Sequence, residues 1–278
     1  MVRMLIEQFK ADMTIQDNVW GATALMLAIY HGHDNVALAL LEDYQCPVDT
    51  RDHYGDTILH YACRANATKL MRTMIQKYKV DKQSRNHANN TPLHVAALCG
   101  QQDVALALIT EFGCDVKSKG FEGRSVLHSA CNGGNVSLVR ALIHEYKADI
   151  NARDDQNDTP LHVAALCGQQ DVALALITEF GCDVKSKGFK GQTALHVACN
   201  KGRTDVVKCL SKYISPLVVD DDGKTPLHIC SLFGHSECVK ALLALNAPIL
   251  MRNNSGKTPN DMAKDTEIKS LLEAHMRN

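Results

Sequence analysis

Six histidines recur along the chain at a spacing of 34 residues, which shortens to 32 for the last pair. They are His60, His94, His128, His162, His196 and His228. Histidine suits proton transfer near neutral pH and is a common zinc ligand. Zinc, however, needs ligands that converge on one ion at about 2 Å, whereas successive packed helices lie about 10 Å apart. The spacing therefore predicts one structural histidine per repeating unit and no metal site.

The eleven cysteines are the other reactive side chains, and most of them recur at fixed positions of the repeating unit. Cys131 and Cys199 follow His128 and His196 by three residues, which would place a thiol and a base on one helix face. A recurring position is, however, typical of a small packing residue. No C-x-x-C pair is present for zinc or redox chemistry. Free thiols in this number favour a reducing compartment, the cytosol or the nucleus, so we expect an intracellular protein and name the cytoplasm as its location.

Motifs that would indicate catalysis are missing from the sequence. It has no G-x-S-x-G turn, no G-x-x-x-x-G-K-[ST] phosphate loop and no H-E-x-x-H motif. The net charge is −1, from 30 basic and 31 acidic residues, whereas a nucleic-acid or anionic-membrane surface would need a basic excess. No apolar run approaches the roughly 18 residues of a membrane span. We therefore expect no enzyme activity, no cofactor, and no nucleic-acid or membrane partner.

The histidines belong to a longer pattern, the hexapeptide Thr-Pro-Leu-His-Val-Ala. Residues 91–96 and 159–164 carry it identically. Looser copies start at Thr23, Thr57, Ser125, Thr193, Thr225 and Thr258, so that successive copies are 32 to 34 residues apart. A fixed period near 33 with this signature is typical of stacked helical repeats, each of which contacts only its neighbours.

This pattern resembles the ankyrin-repeat family, and the resemblance covers nearly the whole chain. A good copy, residues 159–177, continues from the hexapeptide through Gly168 to an apolar second helix. The resemblance implies an all-α solenoid of helix-turn-helix units joined by short β-hairpin-like loops. It also implies that each repeat histidine bonds to its threonine and to loop backbone. Cys131 and Cys199 stand at the family's buried alanine position, where thiols are unreactive.

The phase of the pattern divides a single predicted domain, residues 1–278, into units. We expect a half-repeat over residues 1–20, full repeats that start near residues 21, 56, 90, 124, 158, 192 and 224, and a capping repeat over residues 257–278. Thr or Ser should cap each first helix, and a glycine about nine residues later should follow it. Residues 2–12 resemble a second helix, so the chain would start halfway through a unit. That start indicates a fragment of a larger protein, or else an irregular native start.

Two segments of the chain, residues 91–121 and 159–189, are identical at all 31 positions. This identity marks either a recent duplication of two units or a built sequence. The corresponding contact positions are Leu98 and Leu166, Phe121 and Phe189, and the differing neighbours Glu122 and Lys190. At about 10 Å per unit we expect two similar apolar subsites about 20 Å apart, one with an acidic edge and one with a basic edge.

By the resemblance, the hairpin tips and the exposed ends of the first helices form the concave face on which the family usually binds partners. Aromatic and apolar side chains recur at these positions, which is the composition of a binding surface. The predicted contacts are Trp20, Tyr30, Tyr54, Arg64, Leu98, Phe121, Glu122, Leu166, Phe189, Lys190 and Phe233. We predict a monomeric protein–protein interaction module or scaffold that binds a protein or peptide.

Other interpretations stay open at the level of sequence. The array could be a structural spacer or an autoinhibitory segment of a larger receptor, channel or kinase, and the missing first half-unit favours such a parent. Some aromatic side chains at the hairpin tips could fold against neighbouring tips. Asn151 stands at a hairpin position that is a known type of hydroxylation acceptor in the family. An asparagine that stabilises the turn is the simpler interpretation of that residue.

Overall fold

The structure, a computed structural model, describes residues 6–8 and 11–276 of the chain. Sixteen α-helices lie wholly within those residues. The β-structure there is limited to two isolated bridges, Gln16 with Thr23 and Lys119 with Ser125. The helix expected over residues 2–12 falls largely outside the described residues. The fold is the predicted all-α repeat solenoid.

The helices come in pairs, and the first helix of each pair begins directly after the repeat threonine or serine. The pairs are α1 (Ala24–Tyr30) with α2 (Asp34–Glu42), α3 (Ile58–Arg64) with α4 (Thr68–Gln76), α5 (Pro92–Leu98) with α6 (Gln102–Thr110), α7 (Val126–Gly133) with α8 (Val136–His144), α9 (Pro160–Cys167) with α10 (Gln170–Thr178), α11 (Ala194–Asn200) with α12 (Thr204–Leu210), α13 (Pro226–Phe233) with α14 (Ser236–Leu243), and α15 (Pro259–Met262) with α16 (Thr266–Met276).

The predicted helix starts are confirmed, and their hydrogen bonds explain them. Thr225 stands in extended conformation before α13, and its Oγ1 accepts the backbone N–H of His228 at 3.4 Å. In return, the backbone N–H of Thr225 donates to His228 Nδ1 at 3.1 Å. This is a capping box in which histidine takes the place of the usual glutamate. Thr258 repeats the arrangement with Asp261, whose Oδ2 accepts the threonine N–H at 2.8 Å.

After every first helix except α15, a residue one or two positions on turns the chain through the left-handed region, as the sequence predicts. Gly168 caps α9 with a φ of 81°, and Gly234 caps α13 with a φ of 80°. Asn66 takes the same role after α3 with a φ of 56°. Glycine and asparagine are the residues that adopt this conformation most easily. The turn reverses the chain, so that the second helix packs beside the first.

Two compact units, Met1–Tyr146 and Lys147–Asn278, make up the chain. In the first unit α1, α3, α5 and α7 pack side by side, and each packs against the second helix of its own pair. In the second unit α9, α11, α13 and α15 form the corresponding row, and α10, α12, α14 and α16 form the row behind it. Leu59 and Met71 are typical of the buried residues between the rows, and full burial of such a side chain contributes about 1.5–3 kcal/mol.

The last pair differs from the others. Helix α15 has only four residues, and α16 buries Ile268 and Leu272 while it exposes Lys269 and Glu273. This one-sided pattern is the predicted one for a helix at the edge of a stack. Among the residues that the structure describes, no helix is long and apolar enough to cross a membrane.

Candidate functional site

A groove of about 630 Å³ lies within the unit Met1–Tyr146. Its lining residues define what we name the aromatic groove: Trp20, Tyr30, Asp52, Tyr54, Asp56, Tyr61, Arg64, Asn86, His87, Ala88 and Phe121. Five of the eleven predicted contacts therefore lie together, namely Trp20, Tyr30, Tyr54, Arg64 and Phe121. The volume is in the range of pockets that enclose a drug-sized ligand.

The hairpin loops hold the aromatic side chains at their tips. Asp52 Oδ1 accepts the backbone N–H of Tyr54 at 2.8 Å, which fixes the turn. The N–H of His53 donates to the carbonyl oxygen of Trp20, and the N–H of His87 donates to that of Tyr54, both at 2.8 Å. Neighbouring tips are thus joined through their backbones, so that Trp20 and Tyr54 keep a fixed separation.

Arginine side chains join the same loops on their other side. Arg51 Nη1 donates to the carbonyl oxygens of Gly55 at 2.8 Å and Arg85 at 2.7 Å. Arg85 Nη1 in turn donates to the carbonyl oxygen of Lys119 at 2.6 Å. This ladder was not predicted from the sequence, although an arginine or lysine stands six residues before the repeat threonine or serine in most units. The ladder preorganises the groove before any partner arrives.

The floor of the groove is polar, and hydrogen bonds join its side chains. Tyr61 Oη donates to Asp52 Oδ2 at 2.8 Å. Asp56, which is 2% exposed, accepts from Arg64 Nη2 at 2.5 Å and from Asn86 Nδ2 at 2.7 Å. Burial and the hydrogen bond to Asp52 raise the pKa of Tyr61 well above its usual range, so the phenol keeps its proton. Arg64, a predicted contact, is therefore already committed to a buried carboxylate.

Tyr61 and Asp52 are groove residues that sequence reasoning missed. Tyr61 occupies the fourth position after the repeat threonine, where most other units carry leucine, valine or isoleucine. It is 6% exposed, so that it contributes to the site from within the core. Asp52 stands five residues before the threonine, where Asn86, Asp154 and Asp220 also occur. A tyrosine at a position that is aliphatic in most other units is the feature of the sequence that could have indicated this site.

The other predicted contacts lie outside the groove lining. In the first unit, Leu98 and Glu122 are exposed, and the Glu122 carboxylate lies 3.2 Å from the guanidinium of Arg124. In the second unit, Phe189, Lys190 and Phe233 are exposed, and the Lys190 ammonium lies 5.2 Å from the centroid of the Phe189 ring.

Leu166 differs from the expectation, because it is half-buried rather than exposed. Arg203 Nε donates to the Leu166 carbonyl oxygen at 3.2 Å, and the Arg203 side chain also lies against Gly168. The long arginine side chain covers this end of α9.

The repeat histidines have the structural role that the resemblance implies. The N–H of Thr57 can only donate, so His60 Nδ1 is the acceptor at 3.1 Å, and Nε2 carries the proton. That Nε2–H donates to the carbonyl oxygen of Asn90, in the next unit along the chain, at 3.1 Å. Burial lowers the pKa of His94 and of His196 to about 4, so both are neutral at pH 7. Among the described residues no group of three or more His, Cys, Asp and Glu side chains is placed to hold a metal ion.

None of the eleven cysteines, all of which lie in the described part of the chain, forms a disulfide. Cys131 and Cys199 are fully buried, so neither thiol meets solvent or a substrate. Burial raises the pKa of Cys114 to about 11 and that of Cys182 to about 12, which keeps these thiols protonated. The cysteines therefore act as packing residues.

Asn151 takes part in a turn between neighbouring loops. Its backbone N–H donates to Asp149 Oδ1 at 3.0 Å, and its Oδ1 accepts the N–H of Asp183 at 3.1 Å. These bonds account for an asparagine at this position on structural grounds alone.

Comparison with known families agrees with the fold. Models described as ankyrin repeats match residues 44–120, 108–188 and 178–254 in three copies, and a further ankyrin-repeat model matches residues 5–62. The chain belongs to the ankyrin-repeat family. Members of this family are generally protein–protein interaction modules and are typically not enzymes. No curated protein matches the chain significantly.

Proposed function

We propose that this ankyrin array binds a partner protein or peptide, with the aromatic groove as its principal contact surface. The observation that carries the proposal is the set of exposed rings around one groove, since Trp20 is 44%, Tyr54 is 61% and Phe121 is 44% exposed. Aromatic side chains in a concave site are the usual anchors of protein recognition. The hydrogen-bonded hairpin tips also reduce the entropy lost on binding.

The remaining predicted contacts would extend this surface. Leu98 and Glu122 belong to the same unit as the groove but do not line it. We propose that they contact the periphery of the bound partner. In the second unit, Leu166, Phe189, Lys190 and Phe233 would form a second contact region. We propose that the protein acts as a monomer in which each unit carries a contact region.

Selection from a displayed peptide library tests the proposal directly. Peptides enriched on the wild-type protein would be measured by calorimetry against Tyr54→Ala and against a matched control, Tyr213→Ala. Tyr213 is an exposed tyrosine outside the groove, so its loss should leave affinity unchanged. Tyr54→Ala should weaken binding at least tenfold, as expected for an aromatic anchor worth about 1.4 kcal/mol or more. Equal affinities for the two variants would contradict the proposal and favour a structural spacer.

A further inference from the structure

The rings of the aromatic groove meet at steep angles. The Tyr30 ring centroid lies 6.4 Å from that of Trp20 at an interplanar angle of 58°. It lies 6.2 Å from that of Tyr61 at 75°. The three rings all line the groove, and at these angles they form an aromatic corner. Because ring faces are the negative part of the aromatic quadrupole, such a corner attracts a cation within about 6 Å of the centroids.

The charges of the groove also favour a cationic ligand. Its carboxylates are Asp52 and Asp56, and its guanidinium is that of Arg64. Arg64 and Asp56 form an ion pair, so their opposite charges cancel. Asp52 accepts hydrogen bonds from the N–H groups of Tyr54 and Asp56 and from the O–H of Tyr61, each at 2.8 Å. These three dipoles fix the carboxylate without neutralising it, so the groove keeps a net negative charge.

Tyr61 connects this carboxylate to the rings. Its O–H donates to Asp52 while its ring packs against that of Tyr30. A phenol that donates to a carboxylate gains electron density on its ring, which strengthens the attraction of the ring for a cation. The aromatic corner and the buried charge therefore favour the same kind of ligand.

An acidic ligand fits the groove less well. The guanidinium that would receive it, that of Arg64, already donates to Asp56 at 2.5 Å. An incoming carboxylate would lie close to Asp56 and Asp52, and like charges repel strongly where water is partly excluded. A neutral apolar side chain would not be repelled, but it would bring no positive charge to compensate the carboxylate of Asp52.

We infer that the aromatic groove binds a cationic side chain of the partner, with the alkyl stem against the ring faces and the charge close to Asp52. The ligand class is lysine, methylated lysine or arginine, which share a cation on an apolar stem. This inference rests on the proposed function and adds the chemistry of the ligand to it.

Trp20 is the only tryptophan of the chain, so its fluorescence reports on this groove alone. The probes are capped Gly/Ser nonapeptides whose central residue is lysine, trimethyl-lysine, arginine, norleucine or glutamate. At least one cationic peptide should change Trp20 emission with a dissociation constant at least tenfold below that of the norleucine peptide. The best of the three shows which cation the site prefers. Equal or tighter binding of the norleucine or glutamate peptide, or no response to any cation, would overturn the inference.

Asp52→Asn removes the charge while the turn is retained. Asparagine already occupies this hairpin position elsewhere, since Asn86 Oδ1 accepts the N–H of Asn90 at 2.9 Å. The variant should lose at least threefold of the preference for the cationic peptide over the norleucine peptide. The matched control is Asp220→Asn, because Asp220 Oδ1 accepts the N–H of Lys224 at 2.8 Å in the same kind of turn of the second unit. A preference unchanged in Asp52→Asn, or reduced equally in the control, would show that the Asp52 charge does not select the ligand.

The two proposals fail in different ways. If library peptides depend on Tyr54 but carry no cation, the proposed function stands and the cation inference falls. If Trp20 responds to the cationic probes while selected peptides ignore Tyr54, the cation site stands and the groove is not the principal protein contact.

Discussion

Residues 91–121 and 159–189 have identical sequences but occupy different surroundings, one in each compact unit. Their local structure is nearly the same, with second helices over Gln102–Thr110 and Gln170–Thr178 and with short 3-10 turns that begin at Phe121 and Phe189. Their surfaces differ. Leu98 is 38% exposed, whereas its counterpart Leu166 is half-buried.

The residue that the neighbouring repeat places beside each leucine also differs. Beside Leu166, Arg203 extends along the end of α9 and donates to its carbonyl oxygen. The corresponding residue in the first unit is Asn135, whose shorter side chain donates to the Gly100 carbonyl oxygen at 2.8 Å. A repeat therefore specifies its own helices and caps, while its neighbours specify how much of its surface a partner can reach.

The largest expected effect is on stability, when the repeat histidine of either copy is replaced. His94→Ala and His162→Ala should each lower the free energy of unfolding by about 3 kcal/mol. Each change leaves a threonine N–H and a loop carbonyl without a partner and opens a cavity. Urea denaturation followed by circular dichroism measures the loss. A variant as stable as the wild type would refute the bridging role, and a loss of binding without a loss of stability would make that histidine a contact.

Acid should remove part of the same stabilisation without a mutation. The pKa of His94 is about 4 in the folded protein against 6.5 when unfolded, because burial disfavours the charged ring. Between these values the unfolded chain binds more protons, so stability is complete above pH 6.5 and falls as the pH drops towards 4. At pH 5 the loss should be about 2 kcal/mol for this histidine. Urea denaturation at pH 7.5 and pH 5 checks it, and His94→Ala should show a shallower pH dependence than the wild type.

The phenylalanines of the copies test whether the aromatic groove or the repeated sequence directs binding. Phe121 lines the groove, so Phe121→Ala should weaken a groove-dependent peptide about tenfold, or about 1.4 kcal/mol. Phe189→Ala should weaken it less than twofold, because Phe189 does not line the groove that this peptide occupies. Calorimetry on both variants and on the double variant decides the matter. Equal, additive losses within about 0.5 kcal/mol would instead support two similar subsites.

Ser231 gives the smallest expected effect. It occupies the position of Ala97 and Ala165 in the copies and is fully buried. Its hydroxyl has no hydrogen-bond partner among the residues that the structure describes. Ser231→Ala should raise the free energy of unfolding by about 1 kcal/mol, because an unsatisfied buried hydroxyl is removed. Urea denaturation measures the gain. Destabilisation by this change would mean that the hydroxyl is bonded in solution.

The sequence by itself determined the repeat, its phase and its local structure. Helix starts, caps and turns follow from contacts within a few residues, such as that of Thr225 with His228. The period then fixes where each unit repeats them. For this reason the sequence alone predicts the fold class, the structural histidines and the positions of the hairpin tips.

The tertiary structure decided which of these surfaces is a site. Asn86 donates to Asp56 across 30 residues of sequence, and Arg203 donates to the Leu166 carbonyl oxygen across 37. Tyr61 reaches the groove from within the core. Such contacts join side chains from neighbouring units whose pairing no local pattern encodes. The aromatic groove and its excess negative charge arise from these contacts, because burial and ion pairing depend on what packs against a residue rather than on its own repeat.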